Sequence, residues 1–228
     1  MKDNSHDLIT RNIWAKDKIE QMIEVKPINS IPQTFIVSDT HFCHAQILEY
    51  CARPFKSVEE MNEVMIERWN AVVSPSDVVI HMGDVGFRYE KLKDIIDRLN
   101  GKKLLIRGNH DWSINKMESL GFQCLTQCKN DSYVEVMRNR MFHICHRPRD
   151  MATIPSDNKE LAFQVRLVGH EHNNMPIFIK WVRDTSDVAR PIMALNLSIE
   201  HWGYVPTHID KVIEVYDEHI RSYLSKLD

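Results

Sequence analysis

Apolar residues along this chain gather in short runs that alternate with stripes of helical spacing. Leu8, Ile9, Ile13, Ile19, Met22 and Ile23 recur at helical intervals and predict a helix from residue 8 to about 25. Pro27 and Pro32 end that pattern. Thr34 to Ser38 then reads as a strand that stops at Asp39. Ser57 and Glu60 stand at capping-box spacing, and behind them Val58, Met61, Met65, Trp69 and Val72 mark a helix whose Met and Trp residues belong to a core. Val78 to Met82 is a second strand, ending at Gly83-Asp84. Tyr89, Leu92, Ile95, Ile96 and Leu99 form a second amphipathic stripe, with Asn100-Gly101 as its stop. A third strand, Lys103 to Arg107, ends at Gly108-Asn109-His110.

Later segments are less regular. Met141 to Cys145, Leu167-Val168 and Ala194 to Ile199 read as strands, and Ile209 to Leu224 as a terminal helix. Strands alternating with helices, then further strands, predict an α/β protein. The organisation read from this is a helical extension over residues 1–32 and one domain over residues 33–228.

The polar residues that close the apolar runs carry the chemistry. They are Asp39-Thr40-His41, Gly83-Asp84, Gly108-Asn109-His110-Asp111 and Gly169-His170-Glu171-His172, with His146-Arg147-Pro148 between the last two. In open α/β folds functional groups collect at the carboxyl ends of strands, and each cluster sits at such an end. Any one tripeptide alone would be an ordinary turn. Together they supply the donors of a two-metal site. A mixture of Asp, His and Asn without cysteine suits Mn²⁺, Fe, Zn²⁺ or Ni²⁺ better than an all-oxygen Ca²⁺ site. Mn²⁺ is the expected ion. Paired cations about 3.5–4 Å apart can share a hydroxide, a strong nucleophile at neutral pH.

Two histidines compete for one position. Strand alternation puts His143 and His146 on opposite faces, and His146, at the strand end, is the better ligand. His81, inside an apolar run, reads as a core histidine.

The motifs, in this order, resemble the calcineurin-like metallophosphoesterase superfamily. Ser38-Asp39-Thr40-His41-Phe42-Cys43-His44, followed by Arg53-Pro54-Phe55, is similar to its small bacterial and phage branch. The likeness runs from about Thr34 to Gly203. It implies two mixed β-sheets in a sandwich flanked by helices. It also implies that Asp39, His41 and His172 hold one metal, that Asn109, His146 and His170 hold a second, and that Asp84 bridges them. His110 would face the substrate phosphate as the catalytic proton donor. Asn109, His44, Arg53 and Arg147 are the expected substrate contacts alongside His110, with a turn residue as the alternative for His44 and pairing with a surface acid as the alternative for Arg53. Cys43 and Arg147 depart from the branch, which often carries glycine and an aromatic residue there. The residues after Asp84, Val85-Gly86-Phe87-Arg88, lack the Val-Asp-Arg-Gly motif of protein phosphatases.

Bulk properties narrow the substrate. A net charge of −3 disfavours long nucleic acid as a partner, since many phosphate contacts need many cations. The expected partner is a small phosphoester, a nucleotide or cyclic nucleotide above all, with homo-oligomerisation left open. Five irregularly spaced cysteines predict a reduced, cytoplasmic protein. No apolar run approaches the ~20 residues of a membrane helix, and the first residues contain no apolar leader core.

Overall fold

The computed structural model of the chain describes residues 32–125, 132–150, 164–183 and 189–224. The expected helix at residues 8–25, and hence the extension, lies outside the described residues.

Two five-stranded sheets face each other. The first contains β1 (Thr34–Val37), β2 (Val78–His81), β3 (Lys102–Leu105), β4 (Phe122–Cys124) and β10 (Thr207–His208), in the order β10-β1-β2-β3-β4. Strands β1 to β4 run parallel, and β10 pairs antiparallel with β1. The second contains β5 (Ser132–Met137), β6 (Arg140–Cys145), β7 (Gln164–Val168), β8 (Ile177–Arg183) and β9 (Ala189–Asn196), in the order β5-β6-β7-β9-β8. There β6, β7 and β9 are parallel, and the outer strands antiparallel. Both sheets are therefore mixed, as the resemblance implies.

Side-chain alternation explains the layers. Phe35, Val37, Val79 and Leu105 point to one face of the first sheet, where they meet Met61, Met65 and Trp69 of α1 (Val58–Val72) and Leu92, Ile95 and Ile96 of α2 (Tyr89–Arg98). Ile36, Ile80 and Ile106 point to the other face and pack on Phe142, Ile144, Val165 and Leu167 of the second sheet. A sheet covered on both faces needs near-continuous apolar strands, which is why these strands read as unbroken runs. The terminal helix, Ile209–Leu224, closes the sandwich core with Val212, Val215 and Tyr216.

Local signals act as expected, with small shifts. The Ser57 hydroxyl accepts from Glu60 N–H, but the Glu60 carboxylate reaches back to Lys56 N–H, one residue before the cap. Strand β9 ends at Asn196, three residues earlier than the pattern suggests. The Asn196 side chain accepts from Ser198 N–H and turns the chain into a 3-10 helix, Ile199–Trp202. No helix of the described residues is long and apolar enough to cross a membrane.

Candidate metal centre

Parallel strands end at one edge, and that edge collects the polar clusters. Asp39 follows β1, Asp84 follows β2, Asn109 and His110 follow β3, His146 follows β6, and His170 and His172 follow β7. Adjacent loops are laced together. Asp39 N–H donates to Gly83 O, His41 N–H to Asp84 O, and Gly169 N–H to His146 O.

Two of the three donor groups among the described residues come from these clusters; the third joins Cys51 and Glu200 to His172. Ligand atoms of Asp39, His41 and His172 lie within 4.8 Å of one another, as do those of Asp84, His146 and His170. Asp84 Oδ2 stands between the groups, 3.3 Å from His146 Nε2 and 3.7 Å from His41 Nε2. Donors ~2.1 Å from a common ion stand roughly 3–4 Å apart, so these spacings suit shared cations better than hydrogen bonds.

Hydrogen-bond accounting points the same way. His146 Nδ1 lies 2.9 Å from Met82 O and must donate to it, since a carbonyl only accepts. In the neutral ring the Nε2 lone pair then faces Asp84 Oδ2 and Asn109 Oδ1, the latter at 3.2 Å. Three acceptor atoms therefore meet at one point. Either a proton or a cation must sit there. Without a cation the ring keeps its proton: burial opposes the charge, but the Asp84 contact and the nearby Asp39 outweigh it and push His146 up to about 9. Burial also disfavours the charge of Asp84, yet the hydrogen bond and charge of His146 hold its carboxyl well below the usual range.

Around Asp39 the polar atoms are orphaned. Its Oδ2 accepts from Ser198 Oγ and His170 N–H, but buried Oδ1 has no hydrogen-bond partner. Both ring nitrogens of His41 are buried and equally unpartnered. Burial holds His41 well below its ordinary pKa, so the ring is neutral and has one nitrogen lone pair to offer a metal. Unpaired buried polar atoms are costly, and a site that gathers three of them is built for something else.

The backbone is strained at the same place. Asp39, His41, Asp84, His170 and His172 all have positive φ, between 46° and 72°. Such conformations are uncommon in non-glycine residues and cluster at functional sites. Glycine is required beside them. A Cβ on Gly169 would lie 2.1 Å from Ser38 Oγ and 2.5 Å from Asp39 Oδ2. We expect Gly169→Ala to displace the Asp39 carboxylate, costing about 1–3 kcal/mol of stability, the usual scale of overpacking. Thermal melting and a metal titration check this; wild-type values in both would show that the close approach is tolerated.

The remaining residues named from sequence fall as follows. His110 is exposed at the mouth, with its backbone N–H donating to Asp84 Oδ1 and its ring 5.8 Å from that of His41. Asn109 Oδ1 accepts from Arg147 Nε at 3.0 Å, so Arg147 is at the rim, held by a member of the cluster. The His44 ring packs 4.3 Å from Phe87, which itself stacks on His41. Arg53 requires a correction. It is buried, not open to substrate, and its guanidinium is spent on Glu200 and on the carbonyls of Asp39 and Thr40. Burying a guanidinium demands such full satisfaction, which leaves nothing for a phosphate. His143 stays on the face opposite the sandwich core, in register with Arg166. His81 is a core residue whose Nδ1 accepts from Gly83 N–H and whose Nε2 donates to Thr40 Oγ1.

Asp111, the last residue of the Gly108-Asn109-His110-Asp111 cluster, and Glu200, which no motif singled out, support the site from behind. Asp111 accepts from the backbone N–H groups of Asp84, Val85 and Gly108, and so pins two ligand loops together. Glu200 Oε1 lies 3.1 Å from His172 Nδ1 and accepts a hydrogen bond from its N–H.

Residues 33–186 match the calcineurin-like phosphoesterase superfamily domain. The chain belongs to that superfamily. An uncharacterized protein of Methanocaldococcus jannaschii is 28% identical over 192 residues, covering 83% of this chain and 94% of that one. A protein of unknown function from Aquifex aeolicus superposes with a TM-score of 0.58 at 18% identity, covering 81% of this chain and 100% of that one, which bears on the fold alone. For this superfamily member the two donor groups are the natural candidates for metal binding.

Proposed function

We propose that this phosphoesterase is a binuclear, metal-dependent phosphodiesterase acting on a small substrate of nucleotide or cyclic-nucleotide type. The observation that carries the reading is Asp84 Oδ2, set between two donor groups. Asp39, His41 and His172 would hold one cation, Asn109, His146 and His170 the other, and Asp84 both. The nitrogen-rich donor set, with oxygens from carboxylate and amide, favours Mn²⁺, with Fe, Zn²⁺ and Ni²⁺ as chemically compatible ions. When bound, such a pair activates water at neutral pH and neutralises charge on phosphoryl oxygens.

The protein's own groups do the rest. His110, tethered to Asp84 through its backbone, holds a proton on its imidazole for the departing ester oxygen. Asn109 can donate its amide N–H to a phosphoryl oxygen while its carbonyl oxygen faces the cluster. Phe87 offers a stacking face beside His41.

The preference for a diester follows from charge. A monoester dianion needs several positive side chains around it. Here Arg53 is consumed inside the fold, Arg107 donates to Trp112 O, and Arg147 leans on Asn109. A diester carries one charge and a poorer leaving group, so a proton donor matters more. With Mn²⁺-loaded enzyme, kcat/KM for bis-p-nitrophenyl phosphate should exceed that for p-nitrophenyl phosphate by about tenfold or more, a difference of roughly 1.4 kcal/mol in transition-state binding. A clear preference for the monoester would make the enzyme a phosphomonoesterase. No turnover of either ester at full metal loading would favour a metal-binding interaction module.

A further inference from the structure

The Arg53–Glu200 pair lies behind the metal centre, and its contacts are one-sided. Glu200 Oε1 accepts from Arg53 Nε at 3.0 Å and Nη2 at 2.6 Å, and from His172 Nδ1 at 3.1 Å. Arg53 Nη1 donates to Thr40 O and Nη2 to Asp39 O, each at 2.8 Å. Apart from Met61 Sδ, which Arg53 Nη1 also reaches at 3.4 Å, the network ends on Asp39, on His172 and on Thr40, the residue between Asp39 and His41. The other group touches Asp39 only through His170 N–H and has side-chain supports that do not involve Arg53 or Glu200. His146 is oriented by Met82 O, and the Asp84 loop is pinned by Asp111.

Stability alone is a weak reason to keep such a pair. The desolvation cost of a buried ion pair offsets much of its attraction, and apolar replacements are often neutral or better. Geometry supplies a better reason. Asp39 and His172 come from loops far apart in sequence, and both hold left-handed backbone conformations. Arg53 clamps the first loop through its carbonyls. Glu200 accepts a hydrogen bond from His172 Nδ1–H, which sets the tautomer so that in the neutral ring Nε2 carries the lone pair. A carboxylate behind a metal-ligating histidine commonly tunes metal affinity in this way.

We propose that Glu200 and Arg53 are positioning residues that set the affinity of one metal site, the one formed by Asp39, His41 and His172, independently of the other. The inference rests on the two-metal reading above. Nothing in the local sequence around either residue announces it, because the partners are 147 positions apart.

The test is a Mn²⁺ titration of chelator-stripped full-length protein, followed by calorimetry and by metal counting at fixed free Mn²⁺. Wild-type protein should bind two ions. Glu200→Gln keeps the shape but removes the charge, and should weaken one site by about 10–100-fold while the other stays within about twofold. If that variant cannot be purified folded, Glu200→Asp serves instead: it keeps the charge and withdraws the oxygen from His172 by one methylene. It should give the same one-site loss, smaller in size. Equal weakening of both sites, or of neither, in a folded variant overturns the positioning role. A wild-type protein that binds fewer than two ions overturns the two-metal reading itself, a result distinguishable from the first.

Discussion

Asp84→Asn should abolish turnover, with kcat/KM reduced by about 10³-fold or more, and should weaken both metal sites together. Loss of a single preorganised electrostatic contact to a transition state already costs about 10²–10³-fold. Asp84 is asked to do more than one contact. Its Oδ2 faces His41 on one side and His146 on the other, and its Oδ1 accepts from His110 N–H. An amide can accept one of these contacts but cannot carry the negative charge that two cations would share. The carboxylate is also nearly inaccessible, at 1% exposure, so water cannot replace it. The check is metal content and diester hydrolysis on the same preparation, beside a chelated wild type restored with Mn²⁺. Two ions retained in Asp84→Asn, or full activity in thoroughly chelated wild type, would contradict the bridging role.

The parts of this centre that were legible in the sequence share a cause. Asp39, Asp84, Asn109 and His170 each close an apolar run, because parallel strands buried on both faces leave a polar residue only where the strand ends. The run and its terminal ligand are adjacent, so a local pattern carries both. Arg53 was visible as a cation near the motifs, but not its direction. Whether an arginine points outward or inward depends on what waits for it, and Glu200 is supplied by a 3-10 helix after the last strand of the other sheet. No periodicity encodes that meeting.

The strands missed from pattern alone have a different cause. Strands β5 and β8 are the outer strands of the second sheet, and Val134, Val136 and Ile179 remain exposed there. Apolar alternation is informative when one face must be buried; at an outer strand that requirement relaxes. Strand β4, Phe122–Cys124, is simply too short to show a period. The inner strands that position the candidate ligands are the ones burial constrains most, which is why that edge is easier to read than the periphery.

His110→Ala should separate chemistry from metal binding. The residue follows Asn109 directly, yet the two side chains differ in environment. Asn109 Oδ1 faces His146 Nε2 within the donor group. The His110 ring instead stands at the exposed mouth, against Phe87 and His41, and only its backbone N–H is committed, to Asp84 Oδ1. Truncation to alanine preserves that backbone contact, so the Asp84 carboxylate keeps its orientation and both cations should remain. What is removed is the imidazole proton at the leaving oxygen, worth about 10²–10⁴-fold in rate for a general acid. The loss should fall on kcat more than on KM. It should also shrink with a better leaving group, because an alcohol that departs readily as its anion needs no proton. Comparing a nitrophenyl diester with an alkyl diester measures this directly. A uniform loss across both esters, or a fall in metal content in step with activity, would make His110 part of the metal centre and remove it as the proton donor.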